Sequence, residues 1–192
     1  MNICVFGAAS DIIDEKYKNA AYQLGSKMAE RNIGLVFGGG SSGVMGATVR
    51  GVHDNDGYML GVAPTFMKDY NILYTDCTEF KYTETMAQRK TFMEDSSDGF
   101  IIAPGGIGTY EEFFEVFTLK QLDRHNKPIC IFNCFGYYDK MLEMIGYTIG
   151  EKFLQNESME LIRAFDEVEP MLDYLEGYKA ENIDVMKIRY NK

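Results

Sequence analysis

Basic residues are scarce. Nineteen lysines and arginines face 29 aspartates and glutamates, for a formal net charge of −10 over 192 residues. A chain this acidic argues against a protein that grips DNA or RNA by neutralising its backbone, which requires a basic face, and no nucleic-acid partner is expected. A small phosphorylated ligand is not excluded, because a few backbone amides and one or two local cations suffice to hold one. Cysteine is equally thin. Cys4, Cys77, Cys130 and Cys134 are scattered, three of them in apolar, strand-like runs, and they read as buried free thiols rather than a disulfide framework. The two histidines, His53 and His125, complete no recognisable ligand spacing with them, so neither a metal nor a cofactor is expected. No apolar run approaches the ~18 residues of a membrane span. The opening Met1 to Gly7 lacks a basic region followed by a long apolar core. A soluble, cytoplasmic protein with no membrane partner is the expectation.

What is present is enough apolar material for one large core. Hydrophobic residues make up 46% and aromatics 14%, with no low-complexity run, no repeat and no linker-like stretch. Short apolar runs alternate with helical spacing along the whole chain. Strands are predicted at Asn2 to Phe6, Gly34 to Phe37, Tyr58 to Val62, near Cys77 to Phe80, at Gly99 to Ala103, Pro128 to Phe132 and Leu161 to Phe165. Helices are predicted over about Glu15 to Arg31, Val44 to His53, Thr83 to Ser96, Thr109 to Leu122, Tyr138 to Glu151 and from Pro170 to Glu176, with Asp69 to Phe80 ambiguous. Such alternation means an α/β fold: a single doubly wound, Rossmann-like domain with a mostly parallel sheet. It is expected to occupy residues 1–176, with 177–192 a polar C-terminal tail.

In such sheets ligands bind beyond the carboxyl ends of the strands, where strand order reverses. Three strands here run into small residues: Gly7 to Ser10, Gly38 to Gly46, and Pro104-Gly105-Gly106-Ile107-Gly108-Thr109. The third lies between a strongly apolar strand and a helix, so its amides project from a helix N-terminus and form a ready anion site. The bland alternative is a tight turn needing glycine only for its dihedrals. No lysine follows Gly108, as a P-loop requires, and the first turn offers only Gly7 towards a dinucleotide fingerprint. Two charges stand on apolar faces. Glu112 shares a helical stripe with Val116 and Leu119, and Arg89 lies close to Met86, Phe92 and Met93. A cation on such a stripe wants a carboxylate or a ligand phosphate. Lys90 beside it is either part of the same site or an ordinary solvated residue. A phosphate cradle, a carboxylate one turn in and a nearby arginine suit cleavage of the N-glycosidic bond of a nucleoside monophosphate, in which the ribose develops positive charge.

The segments Pro104-Gly105-Gly106-Ile107-Gly108-Thr109-Tyr110-Glu111-Glu112, Met86-Ala87-Gln88-Arg89-Lys90-Thr91-Phe92-Met93 and Gly38-Gly39-Gly40-Ser41-Ser42-Gly43-Val44-Met45-Gly46 resemble the paired motifs of the LONELY GUY (LOG) family. These are the cytokinin riboside 5′-monophosphate phosphoribohydrolases. The resemblance spans roughly Ile3 to Phe165. It implies a Rossmann-like homodimer that hydrolyses N6-modified adenosine monophosphates, or AMP itself, to free base and ribose 5-phosphate. It implies Arg89 and Glu112 as catalytic residues and Gly105, Gly106, Ile107, Gly108 and Thr109 on the phosphate. Lys90 and Thr118 match further binding positions, and Ser10, Gly40, Gly43 and Met45 of the first two turns join the substrate-binding set. A non-catalytic nucleotide sensor or carrier could use the same cradle. Two departures stand out. Thr65-Phe66-Met67-Lys68 replaces the family's Ile-Pro pair, with no acid until Asp69, and the early turn lacks a proline before Tyr17. Some relatives carry the label lysine decarboxylase, but nothing in the sequence builds a pyridoxal phosphate site.

Overall fold

Seven short strands form one sheet in a computed structural model that describes residues 1–180 and 184–190. In chain order these are β1 (Asn2–Phe6), β2 (Gly34–Phe37), β3 (Met59–Pro64), β4 (Glu79–Thr83), β5 (Gly99–Ile102), β6 (Ile129–Phe132) and β7 (Arg163–Phe165). All neighbours pair parallel, in the order β4-β3-β2-β1-β5-β6-β7. The chain winds outward from β1 to β4, then returns to lay β5 against the other side of β1. The switch point therefore lies between β1 and β5, where Phe6 pairs with Ile102.

The helices are α1 (Glu15–Glu30), α2 (Gly43–His53), α3 (Met86–Asp95), α4 (Ile107–Gln121), α5 (Asp139–Gly150), α6 (Val168–Gly177) and α7 (Val185–Tyr190). Because strand side chains alternate between faces, each strand feeds two cores. Ile3, Val5, Leu35, Phe37, Ile101 and Cys130 pack with α1, α2 and α6. Cys4, Phe6, Val36, Phe100, Ile102 and Ile131 pack with α3, α4, α5 and α7. Burial on both faces explains why the inner strands read as continuous apolar runs.

Several boundaries differ from expectation. A 3-10 turn over Thr65–Tyr70 runs into the ambiguous stretch, whose remainder is irregular chain as far as β4, and β4 begins two residues later than Cys77. Strand β7 is three residues long because Leu161 belongs to a preceding 3-10 turn, Asn156–Leu161. Helix α3 begins at Met86, since Thr85 caps it in a reciprocal capping box with Gln88. The segment expected as a polar tail carries α7, whose Ile188 is buried in the second core, while residues 181–183 and 191–192 lie outside the described set. All four cysteines are free, with Cys4, Cys130 and Cys134 buried; Cys134 sits in a 3-10 turn after β6 rather than on the strand. Among the described residues no helix is long and apolar enough to cross a membrane, and no three His, Cys, Asp or Glu residues are placed to hold a metal.

Candidate active site

The loops leaving β1, β2 and β5 meet at the switch point and enclose a cleft of about 410 Å³. From β1 come Gly7, Ala8, Ala9 and Ser10; from β2, Gly38, Gly40 and Met45; from β5, Gly106, Gly108 and Thr109. Arg89 of α3 and Glu112 of α4 are the charged side chains lining it. The sequence-predicted Ser10, Gly40, Met45, Arg89, Gly106, Gly108, Thr109 and Glu112 are thus brought together.

The turn before α4 has the character of an anion cradle. Its N-cap is Gly106, which offers no side-chain cap, so the first amides of a 15-residue helix have no capping partner. The glycines that adopt positive φ are Gly39, Gly43 and Gly136, not those of this turn. A Cβ placed on Gly106 or on Gly108 would meet no protein atom within 4 Å. Neither backbone conformation nor packing therefore demands glycine at these two positions. What remains is open space over exposed amides, and this answers the turn-only alternative. Gly105 is different: a Cβ there would sit 2.1 Å from Thr109 Oγ1. Two tyrosines hold the turn from behind. Tyr137 donates its hydroxyl to the Gly105 carbonyl at 2.8 Å, and the fully buried Tyr138 donates to the Ala103 carbonyl at 2.7 Å.

Arg89 and Glu112 face each other across the cleft floor. Arg89 Nη1 donates to Glu112 Oε1 at 3.0 Å, and its Nε donates to the Val62 carbonyl at 3.2 Å. Gly38 admits the guanidinium: a Cβ there would lie 1.8 Å from Arg89 Nη2. Burial raises the Glu112 carboxyl above its ordinary value of 4.5, while the Arg89 charge and hydrogen bond pull it back without cancelling the effect. The site thus holds one carboxylate in a poorly hydrated place, tied to one cation.

Opposite the cradle the wall is apolar. Met67, Ile72, Leu73 and Met86 line it with Met45. The chain after the Thr65–Tyr70 turn is stapled onto the second glycine turn: Ser41 N–H donates to the Ile72 carbonyl, Tyr74 N–H donates to the Gly39 carbonyl, and Gly40 bridges Leu73 antiparallel. Sequence reading did not place Met67, Ile72 and Leu73 in the cleft; Met67 lies in the Thr65–Tyr70 turn, and Ile72 and Leu73 lie in the chain just after it. Asp69, the first acid after Pro64, is exposed and does not line the cleft.

Other predicted residues stand apart. Gly43 opens α2 with φ +64°, and its N–H donates to Asp11 Oδ1 at 2.8 Å, which with other hydrogen bonds holds that carboxyl below its ordinary range. Ile107 is 83% exposed. Thr118 is exposed on α4, nine residues or ~13 Å along the helix from Thr109. Lys90 does not line the cleft; its Nζ is ion-paired with Glu111 and Glu115. Outside the cleft, His125 is packed neutral. Burial pulls its imidazole down to about 4, Nε2 meets the Val116 carbonyl at 2.9 Å, and Lys127 N–H donates to Nδ1.

Residues 45–175 match a family model described as possible lysine decarboxylase. The chain is 38% identical over 182 residues, 95% of its length and 85% of the relative's, to cytokinin riboside 5′-monophosphate phosphoribohydrolase LOG2 of Arabidopsis thaliana. It is 39% identical over 176 residues, covering 92% and 72% of the two chains, to probable cytokinin riboside 5′-monophosphate phosphoribohydrolase LOGL5 of Oryza sativa subsp. japonica. Among solved structures, the molybdenum cofactor carrier protein of Chlamydomonas reinhardtii superposes with a TM-score of 0.70 at 20% identity, covering 91% and 95% of the two chains. That likeness is one of fold.

Proposed function

Given that the chain belongs to the LOG family of cytokinin riboside 5′-monophosphate phosphoribohydrolases, we propose how its cleft performs the reaction. The protein is a hydrolase that cleaves the N-glycosidic bond of nucleoside 5′-monophosphates, giving free base and ribose 5-phosphate. The 5′-phosphate rests on the amides of Gly106 to Thr109, at the positive end of α4. Glu112 lies three residues further along the same helix, so one turn, ~5 Å, separates cradle from carboxylate. That is the scale of a ribose 5-phosphate.

With the phosphate pinned, the ribose lies over Glu112. The bond from C1′ to the base breaks, its electron pair leaves with the base, and the ribose becomes an oxocarbenium-like cation. The ionised Glu112 stabilises that charge and orients the water that attacks C1′, while a proton ends on the departing base. Arg89 fixes the carboxylate's rotamer through its 3.0 Å contact and supplies positive charge beside the ribose and phosphate. The wall of Met45, Met67, Ile72, Leu73 and Met86 receives the base, and its apolar character suits adenine with an apolar N6 substituent as well as adenine itself. The description possible lysine decarboxylase finds no support in the cleft, because among the described residues no lysine lines it to form a Schiff base.

The observation that carries this reading is the pairing of an open, glycine-lined cradle with a buried carboxylate one turn inside it. Incubation with AMP and N6-isopentenyl-AMP, followed by chromatography of free base and ribose 5-phosphate, tests it. Catalytic release of both products is expected; stoichiometric nucleotide binding without release would leave a sensor or carrier. A cytoplasmic homodimer that binds no nucleic acid completes the proposal. Exposed Phe114 on α4 and Met144 and Tyr147 on α5 support self-association, while Phe113 and Phe117 of α4 are core residues. The net charge of −10 argues against nucleic acid.

A further inference from the structure

The turn after β6 holds two tyrosines in fixed directions. Phe135 and Gly136 both take positive φ, 59° and 68°, and for a phenylalanine that conformation persists only where its surroundings impose it. Asn133 does so from within the turn: its Oδ1 accepts the Tyr138 N–H at 2.7 Å, and its Nδ2 donates to Asp139 Oδ1 at 2.8 Å. Tyr17 of α1 and Tyr138 both meet the Tyr137 ring edge-on, with centroids 5.4 Å and 4.9 Å away. The Tyr137 hydroxyl is thereby aimed at the Gly105 carbonyl, 2.8 Å away.

Three successive carbonyls leading into the cradle are each occupied. Ala103 accepts from the Tyr138 hydroxyl, Pro104 from the Ala8 N–H at 3.0 Å, and Gly105 from the Tyr137 hydroxyl. The last carbonyl belongs to the peptide joining Gly105 to Gly106. With a glycine on each side, that peptide meets little steric resistance to flipping. It is trans, so its C=O and N–H point opposite ways. Gly106 lines the cleft, whereas Gly105 and Tyr137 do not. Among the described residues the Gly106 N–H has no acceptor.

We infer that Tyr137 is a positioning residue for the substrate's phosphate: by holding the Gly105 carbonyl away from the cleft, it keeps the Gly106 N–H turned toward the phosphate. The inference rests on the phosphoribohydrolase reading of the cleft and its cradle. Without the hydroxyl the peptide is free to rotate and set a carbonyl oxygen against the phosphate, exchanging attraction for repulsion. Burial raises the Tyr137 hydroxyl above its ordinary value of 10.0, so at neutral pH it keeps the proton it donates.

The test compares wild type with Tyr137→Phe, which removes one oxygen and keeps the ring. Calorimetry gives Kd for ribose 5-phosphate and for adenosine, steady-state kinetics give KM and kcat for AMP, and heteronuclear NMR follows the Gly106 amide. The expected result is a Kd for ribose 5-phosphate and a KM for AMP raised roughly tenfold, the share of one hydrogen bond to a charged group. Both kcat and the Kd for adenosine, which carries no phosphate, stay nearly unchanged. In wild type, ribose 5-phosphate moves the Gly106 amide proton downfield, and in Tyr137→Phe that shift is much reduced.

Unchanged affinity of the variant for ribose 5-phosphate would overturn the inference. Equal weakening of ribose 5-phosphate and adenosine would do the same, since it marks a general loosening of the cleft. Weaker ribose 5-phosphate binding with the full Gly106 shift would make Tyr137 itself a ligand and also overturn it. If Tyr137→Phe fails to fold, wild type decides: a Gly106 amide that does not move downfield on saturation with ribose 5-phosphate refutes the inference. Wild type that binds ribose 5-phosphate yet releases no base from AMP would instead overturn the reaction, leaving the ribose 5-phosphate comparison to judge Tyr137.

Discussion

Arg89 Nη1 stands 3.0 Å from Glu112 Oε1, and the two side chains are only 6% and 12% exposed. Neither charge belongs in an apolar interior alone. Arg89 gains a second acceptor in the Val62 carbonyl, and Gly38 makes room for it. Glu112 has that arginine and the open cleft. The pair is therefore held by α3, α4, β3 and the turn after β2 together, and it sits where the sheet's winding reverses.

Removing the arginine strands the acid. In Arg89→Met, Glu112 keeps its burial and loses the group that opposes it, so its already raised pKa climbs further. In the proposed reaction Glu112 is ionised, so turnover is expected to fall as pH drops through that pKa. The acid limb of the kcat profile is expected above pH 4.5 in wild type and at still higher pH in Arg89→Met. Loss of one partner from a buried pair should also cost roughly 3 kcal/mol, lowering Tm by about 6–12 °C. Rate–pH profiles and calorimetry check both effects.

Two glycine substitutions should separate ligand space from protein packing. Gly106→Ala and Gly108→Ala add a methyl that meets no protein atom within 4 Å. Stability should hold, with Gly108→Ala in the helix gaining up to ~1 kcal/mol, while KM for AMP rises about tenfold or more because the methyl occupies the phosphate's place. Gly38→Ala, by contrast, drives a Cβ against Arg89 and should lose both Tm and turnover. Melting curves and steady-state kinetics on the three variants make the comparison.

Glu94 gives the fold a pH dependence away from the cleft. Burial first, then the nearby Glu115 charge, pushes its carboxyl up to about 7. The unfolded chain releases that proton near 4.5, so between about pH 4.5 and 7 the folded state binds more protons and stability falls as pH rises. Glu94→Gln should therefore match wild type below pH 4.5 and exceed it at pH 8. With solvent screening allowed for, the gain is on the order of 1 kcal/mol, or ~2–4 °C in Tm. Melting at pH 4 and pH 8 provides the check.

Much of this architecture was readable before any coordinates. The winding follows from strand and helix alternation, and the cradle from glycines placed between an apolar strand and a helix. Arg89 and Glu112 announced themselves as charges on apolar stripes, a conflict between local pattern and burial that marks functional positions. The far wall was not readable. Met67 lies in a short 3-10 turn, and Ile72 and Leu73 lie in the chain after it, which is bonded to the turn at Gly39 to Ser41. Tyr137 and Tyr138 support the cradle through carbonyls some 32 and 35 residues away in sequence, contacts without local periodicity. Helix α7 escaped notice because Val185–Tyr190 is only six residues long, too short to display a helical period in a stretch otherwise rich in polar residues. Lys90 was ambiguous because its partners depend on how α3 and α4 are turned toward each other.

The most direct measurement is made on Glu112→Gln, a change that keeps shape and removes charge. Base release from AMP and calorimetric binding of AMP should be recorded on the same preparation. Loss of turnover by ~10²–10⁴-fold with AMP affinity retained is the predicted result. Near-wild-type base release from that variant would contradict the account, since the ribose cation would then have no need of this carboxylate.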